Sequence, residues 1–278
     1  MIKSSSELRG PDTGPIVLFD MDGTLTEPRS VLGDKVLQSL RKLSSHTEIG
    51  IVTGSSFEYM KQQMSALLHD DLRFRLHLLP CNGTFYYAPG LFKSGHSFDL
   101  VHECDMRKEM GEEKFNFLMA ELIHRQAAIL DYTDFPLTGH FIDYRGSMIN
   151  WCPIGRNANS FDRQTFKDFL KKNDNFRQWQ IKTLKGQLAN REISNSLVLK
   201  LGGDTSIDIY PKGWDKTYAL KHFSDLTVWF VGDRCTGDGN DKELYDVLLK
   251  DSRAFETTGP TRTIEIIEEM IIPRLRSN

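Results

Sequence analysis

The run Val17-Leu18-Phe19-Asp20-Met21-Asp22-Gly23-Thr24-Leu25-Thr26 constrains this chain more than any other feature. An apolar stretch ends in two carboxylates two residues apart, and Gly and Thr follow at once. A strand buried on both faces of a parallel sheet reads as a continuous apolar run, and its carboxyl end is where open α/β sheets bind ligands. Residues two apart on a strand point the same way, but a turn at Gly23 lets Asp20 and Asp22 approach one centre from different angles. Paired carboxylates suit a hard cation such as Mg2+, which prefers oxygen ligands and keeps several waters for a phosphate. A carboxylate can also act as a nucleophile and form an aspartyl phosphate.

At 278 residues the chain has room for one large domain or two modest ones. Hydrophobic content of 39% and charged content of 26% describe an ordinary globular protein, neither disordered nor membranous. A net charge of −3 gives no basic footprint for nucleic acid or an anionic membrane. Cys81, Cys104, Cys152 and Cys235 are scattered without a CxxC pair, which fits a reducing compartment better than a disulfide framework or a zinc site. No stretch approaches the ~20 apolar residues of a membrane span, and Met1 to Gly10 lacks the apolar region of a signal peptide. The expected location is the cytoplasm.

The order of elements points to a doubly wound parallel sheet with an inserted α+β block. Residues 1–15 read as a polar leader ending in a turn cluster. Val31 to Leu43 has helical apolar spacing, Glu48 to Val52 reads as a buried strand, and a helix opens near Ser56 and runs towards Leu68. Leu76 to Leu79 is a third strand, before Pro80-Cys81-Asn82-Gly83. Strands and helices in alternation argue for the parallel sheet. The pattern then changes to a hairpin over Thr84 to Phe92, a long helix over Lys108 to Ala127, and a strand pair over Phe141 to Cys152 turning at Gly146. Helices near 161–172 and 175–189 follow, then an antiparallel pair, Leu197 to Leu201 and Ser206 to Tyr210. Parallel-sheet patterning returns after Lys216 with a helix, the strand Thr227 to Val231, and a C-terminal helix from about Arg262 carrying an Ile264, Ile267, Ile271 and Leu275 stripe. These readings place a catalytic core at 1–88 and 211–278 and a smaller α/β domain at 89–210.

Four loops follow four expected strands, and each carries chemistry. The first holds Asp20 and Asp22. The second, Thr53-Gly54-Ser55, offers hydroxyls and flexible backbone amides of the kind that hold phosphate oxygens, although alone it is also a common turn. In the third, Lys216 opens a helix after Gly213-Trp214-Asp215, where a cation would meet phosphate as a point charge and where a solvated surface lysine is the bland alternative. The fourth, Gly232-Asp233-Arg234-Cys235-Thr236-Gly237-Asp238-Gly239-Asn240-Asp241, is dense in acids and glycines. It is not an EF-hand, because Cys235 stands where that loop needs an oxygen ligand. The chain has no HExxH, P-loop or GxSxG motif.

The DMDGT run, the TGS loop, Lys216 and GD…GDGND together resemble the haloacid dehalogenase superfamily of phosphotransferases. The resemblance extends to the eukaryotic-type phosphomannomutases through FDMDGTLTEPR, GSMINWCPIGR preceded by Arg145, and GGDTSIDIYPKGWDK, from about Ile16 to the C-terminus. It implies a Rossmann-like core with an inserted cap. It further implies Asp20 as the phosphorylated nucleophile, Asp22 as general acid and base, and Mg2+ held by Asp20, the Asp22 backbone carbonyl and Asp233. Ser55 and Lys216 would hold the transferring phosphate, with Thr53, Gly54, Asn240 and Asp241 supporting those loops. Arg29, Arg145, Arg156 and Arg163 would take a distal sugar phosphate, as guanidinium forks do, and Ser206 and Asp208 would touch the sugar.

The implied activity interconverts mannose 6-phosphate and mannose 1-phosphate, and glucose phosphates as well, within GDP-mannose biosynthesis. A hexose 1,6-bisphosphate would be the activator and intermediate, and a homodimer through the cap the expected assembly. Two departures stand out: Thr53 occupies a usual glycine position and is closer to the superfamily's phosphatases, and Cys81 replaces an acid. A Mg2+-dependent sugar-phosphate phosphatase is therefore the alternative. A silent sugar-phosphate sensor is the third reading, opposed by the intact Asp20, Asp22, Lys216 and Asp233. No residues are assigned to a second cation site.

Overall fold

The computed structural model describes residues 14–90, 98–130, 135–189 and 191–277. The expected leader lies almost wholly outside the described residues, as does the end of the expected hairpin, residues 91–92; Phe85–Pro89 is a single strand whose antiparallel partner is Phe98–Glu103. The chain divides into two compact units, one of residues 1–103 and 214–278, the other of Cys104–Gly213.

The first unit is built on a seven-stranded sheet. In chain order its strands are β1 (Ile16–Phe19), β2 (Glu48–Val52), β3 (Leu76–Leu79), β4 (Phe85–Pro89) and β5 (Phe98–Glu103), rejoined later by β10 (Val228–Gly232) and β11 (Ala254–Glu256). Their spatial order is β11-β10-β1-β2-β3-β4-β5. The first five are parallel, and β4 and β5 add an antiparallel edge. The fold class is therefore the expected one, a doubly wound α/β core. β1 is buried throughout and pairs with β2 on one side and β10 on the other, so the strand order reverses there. That reversal makes its carboxyl end the switch point where such sheets place ligands.

Both faces of the sheet are covered. Val17, Phe19, Ile49, Ile51, Trp229 and Val231 pack on one side against the helix Asp34–Ser44 and the C-terminal helix, while Ile16, Leu18, Phe230 and Phe223 form a second core on the other. Alternate residues of one strand thus bury on opposite faces, which is why these strands read as unbroken apolar runs.

The strand β5 belongs to this sheet through its pairing with β4. Residues 89–103 are expected in the insertion; the chain divides at Cys104 and Gly213 instead. The short strand β11 has no counterpart in the sequence reading. The segment opening at Lys216 is a 3-10 helix, Lys216–Phe223. The C-terminal helix contains a π-helical turn, Ile266–Ile271, that widens its buried face. Ile266 and Ile272 consequently join Ile267 and Ile271 in the core, while Ile264 and Leu275 are only partly buried.

The second unit carries a four-stranded antiparallel sheet in the order β6 (Ile142–Tyr144), β7 (Ile149–Trp151), β9 (Ser206–Pro211), β8 (Leu197–Gly202). Helices Glu112–Ile129, Ser160–Lys172 and Phe176–Ala189 belong to the same unit. The expected long helix starts after a break at Gly111, whose φ of 80° separates it from the short turn Met106–Met110. Trp151, Ile149, Ile207 and Ile209 are fully buried. Asn150 and Asp208, one register step away from them, occupy the opposite face.

Candidate active site

Asp20 stands one residue past β1, almost wholly buried, with its backbone N–H donating to the Val231 carbonyl at 2.9 Å. Its carboxylate forms an ion pair with Lys216. Lys216 is fully buried and bonds Asp241 Oδ1 at 2.5 Å as well. An ammonium this deep requires compensating charge, and two carboxylates supply it. Asp241 is the hub of the fourth loop: its second oxygen accepts the backbone N–H groups of Asp233 and Arg234 at 3.1 and 3.0 Å. Asp241, expected only to support its loop, is central to the cluster.

Carboxylate oxygens of Asp20, Asp233 and Asp241 lie within 4.8 Å of one another. Asp233 Oδ1 is buried and has no hydrogen-bond partner. Gly23 has φ 86°, where a side chain is strained, and a Cβ there would stand 2.2 Å from Asp233 Oδ2 and displace that carboxylate. Three oxygens, one of them orphaned, fit a hard cation such as Mg2+.

Asp22 is arranged differently. Its Oδ1 accepts the Arg29 backbone N–H at 2.8 Å and Gln63 Nε2 at 3.0 Å. The Asp22 carboxylate is not part of that acidic group, which Asp241 completes; it is held by Gln63 and the Arg29 backbone N–H. Arg29 is exposed and has a left-handed backbone, φ 66°.

The second and third loops are laced together. Thr53 is buried and its Oγ1 accepts the Ser55 N–H at 3.2 Å. The Cys81 N–H donates to the Ser55 carbonyl, and the Asn82 N–H to the Thr53 carbonyl. Cys81 and Asn82 both have left-handed backbones, with φ 50° and 64°. Asn82 Nδ2 then reaches the Trp214 carbonyl at 3.2 Å, and His222 Nε2 reaches the Gly83 carbonyl at 2.8 Å. The loop after β3 therefore ties Thr53-Gly54-Ser55 to the turn and helix that carry Lys216. Asn240 is half-buried beside Asp241 in sequence.

The electrostatics follow from this geometry. Burial pushes the Asp20 carboxyl well above the usual carboxylate range; Lys216 opposes that, and Asp241 and Asp233 add to it. Asp233 is raised to about 6, by burial first and the neighbouring Asp241 second. Burial works against the Lys216 charge, yet Asp20 and Asp241 outweigh it and hold the ammonium above its ordinary range. Burial also pushes the Cys235 thiol up, which leaves it protonated and removes it as a nucleophile.

In the second unit the remaining residues form one network. Asp143, Asn150 and Asp208 stand directly opposite one another across β6, β7 and β9. Asp143 Oδ2 lies 2.9 Å from Arg145 Nε and 3.4 Å from Arg156 Nε. Arg156 also donates to Asn150 Oδ1 at 3.0 Å, and Asn150 Nδ2 donates to Ser206 Oγ at 2.9 Å and Asp208 Oδ1 at 2.6 Å. Arg163 donates to Thr205 Oγ1 at 2.8 Å. Arg145, Arg156, Ser206 and Asp208 are thereby brought together, with Arg163 joined through the residue next to Ser206. Asp143 and Asn150, which the sequence reading did not single out, do the joining. Alternation in β6 and β7 marks them as facing away from the buried residues, but only the strand register sets Asn150 opposite Asp208 and Asp143 opposite Asn150.

A family model for the eukaryotic phosphomannomutases matches residues 36–273. The chain belongs to that family. It is 32% identical over 265 residues to a phosphomannomutase of Encephalitozoon cuniculi, covering 94% of each chain. It is 31% identical over 259 residues to phosphomannomutase 1 of Dictyostelium discoideum, covering 92% of this chain and 96% of the relative. Among solved structures, an IMP-nucleotidase of Plasmodium falciparum superposes with a TM-score of 0.63 at 14% identity, over 96% of this chain and 64% of that one. A trehalose-6-phosphate phosphatase related protein gives 0.55 at 12% identity, over 95% and 100%. At these identities the structures speak for the haloacid dehalogenase-like fold alone. Among the described residues no helix is long and apolar enough to cross a membrane.

Proposed function

We propose that this protein is a phosphomannomutase, moving phosphate between the 1 and 6 positions of mannose, and that Asp20 carries the phosphoryl group in transit. The supporting observation is the buried Asp20–Lys216–Asp241 cluster with Asp233 beside it, in a chain matched to the family over most of its length. Asp20 attacks phosphorus, the bond to the sugar oxygen breaks with its electron pair, and Asp22 protonates that oxygen. In the reverse half-reaction Asp22 takes the proton of the accepting hydroxyl.

Lys216 and Ser55 hold the transferring phosphate. Asp20 and Asp233, with the main-chain carbonyl of Asp22, would hold Mg2+, supported by Asp241; when bound, it supplies charge neutralisation for the ionised nucleophile and the phosphate. Arg29, Arg145, Arg156 and Arg163 take the second phosphate, and Ser206 and Asp208 the sugar hydroxyls. A hexose 1,6-bisphosphate charges Asp20 initially. We place the protein in the cytoplasm as a homodimer joined through the second unit.

The buried Thr53 hydroxyl beside Ser55 favours the phosphatase as the second reading. Phosphorus NMR separates the two: mannose 1-phosphate, Mg2+ and a trace of the 1,6-bisphosphate should give mannose 6-phosphate with little inorganic phosphate. Mostly inorganic phosphate would refute the mutase and leave the phosphatase.

A further inference from the structure

Gln63 closes the helix Phe57–Gln63 and is 4% exposed. Its Nε2 donates to Asp22 Oδ1 at 3.0 Å and lies 3.0 Å from Tyr59 Oη. The Arg29 backbone N–H reaches the same Asp22 oxygen at 2.8 Å. The Gln63 carbonyl accepts the Leu32 N–H at 3.0 Å, which ties the root of the side chain to the segment following Asp22. Gln63 Oε1 is buried without a partner. An unpaired buried acceptor weakens a fold, and an apolar group of the same shape would not carry that penalty. The unpaired acceptor therefore offsets part of what the two donated bonds contribute to the fold. What the amide does provide is a fixed hydrogen bond to Asp22.

We propose that Gln63 is the positioning residue for Asp22, fixing its carboxylate for proton exchange with the sugar oxygen. The inference rests on the acid–base role given to Asp22 above. Gln63 and the Arg29 N–H converge on Oδ1 and leave Oδ2 as the atom that carries the proton. As the Asp20–phosphorus bond forms and the phosphorus–sugar oxygen bond breaks, the Oδ2 proton passes to the sugar oxygen with its new lone pair. In the return direction Oδ2 takes the proton of the attacking hydroxyl. Gln63 touches neither the phosphate nor the sugar in this scheme; it acts only through Asp22.

The test compares two phosphate donors in Gln63→Met, which keeps side-chain length and removes both hydrogen-bonding groups. Mannose 1-phosphate releases an oxygen that needs a proton; p-nitrophenyl phosphate releases a phenolate that does not. The expected result is a kcat on mannose 1-phosphate lower by about tenfold or more, part of the ~10²–10⁴ that a positioned acid–base group supplies. KM should stay within about twofold, the loss in the single-turnover release of p-nitrophenolate, which precedes the base step on the acceptor, should be several-fold smaller, and the melting temperature should fall by no more than the few degrees that two lost hydrogen bonds cost. Equal losses on both donors, or no loss on the sugar phosphate, would overturn the proposal. Should Gln63→Met fail to fold, Gln63→Glu carries the same comparison, because it keeps the shape and replaces the donor with a repelling oxygen. Asp22→Asn keeps the two failures apart. Retained sugar turnover in that variant refutes the acid–base role of Asp22 itself, whereas its loss beside an unaffected Gln63→Met refutes only the role of Gln63.

Discussion

Replacing Lys216 by Met should damage the core more than any surface change. The ammonium is fully buried and bonds both Asp20 and Asp241, whose side chains are 6% and 0% exposed. Methionine fills nearly the same volume but leaves two carboxylates buried together without a cation. Removing one partner of a buried ion pair costs about 3–5 kcal/mol, because the remaining charge is left uncompensated. With about 2–4 °C of melting temperature per kcal/mol for a domain of this size, the expected loss is roughly 6–20 °C. Mg2+ binding the folded state supplies replacement positive charge, so millimolar Mg2+ should raise the melting temperature more in Lys216→Met than in the wild type. Differential scanning calorimetry with chelator and with Mg2+ reads both quantities. A chelated variant melting within about 2 °C of the wild type would show that the ammonium does not hold these carboxylates in place.

Other consequences follow from the same geometry. The folded-state pKa of Asp233, about 6, lies above its unfolded value, so ionising it opposes folding. The metal-free protein should therefore lose this stability as pH rises from about 4 to about 6 and stay low above it. Asp233→Asn should flatten that profile and reduce the Mg2+-induced rise in melting temperature; an unchanged profile would remove Asp233 as its source. Gly23→Ala combines a φ of 86° with a Cβ 2.2 Å from Asp233 Oδ2, and should weaken Mg2+ binding at least as strongly as it lowers stability. Isothermal titration reads that difference, and wild-type affinity in the variant would contradict it. Asp143→Asn frees Arg145 and Arg156 from their shared carboxylate. KM for mannose 1-phosphate should rise several-fold more than kcat falls, a split that initial rates resolve.

Much of the core was legible because parallel strands advertise themselves. β1, β2, β3 and β10 are buried on both faces and read as apolar runs, and the loops at their carboxyl ends carry the polar residues that the site uses, except Lys216, which opens the 3-10 helix that follows β9 in the chain. What escaped is what depends on chain-distant partners. Gln63 meets Asp22 from 41 positions away, and nothing in the helix Phe57–Gln63 marks one glutamine over its neighbour. Asp143 and Asn150 acquire meaning only through the register of β6, β7 and β9. The spacing of Asp20 and Asp22 marks both carboxylates, but not that Asp241, rather than the Asp22 side chain, completes the acidic group with Asp20 and Asp233. β5 read as part of the insertion because an antiparallel edge strand carries no βαβ signature. β11 spans three residues, too few for alternation to show.

The identity of the phosphorylated residue tests the central claim most directly. The protein should be charged with a hexose 1,6-bisphosphate in Mg2+, quenched, reduced with borohydride and mapped by mass spectrometry. Reduction converts an aspartyl phosphate to homoserine, and homoserine at position 20 is the result expected. Homoserine at Asp22 or Asp233, or continued turnover in Asp20→Asn, would contradict the account.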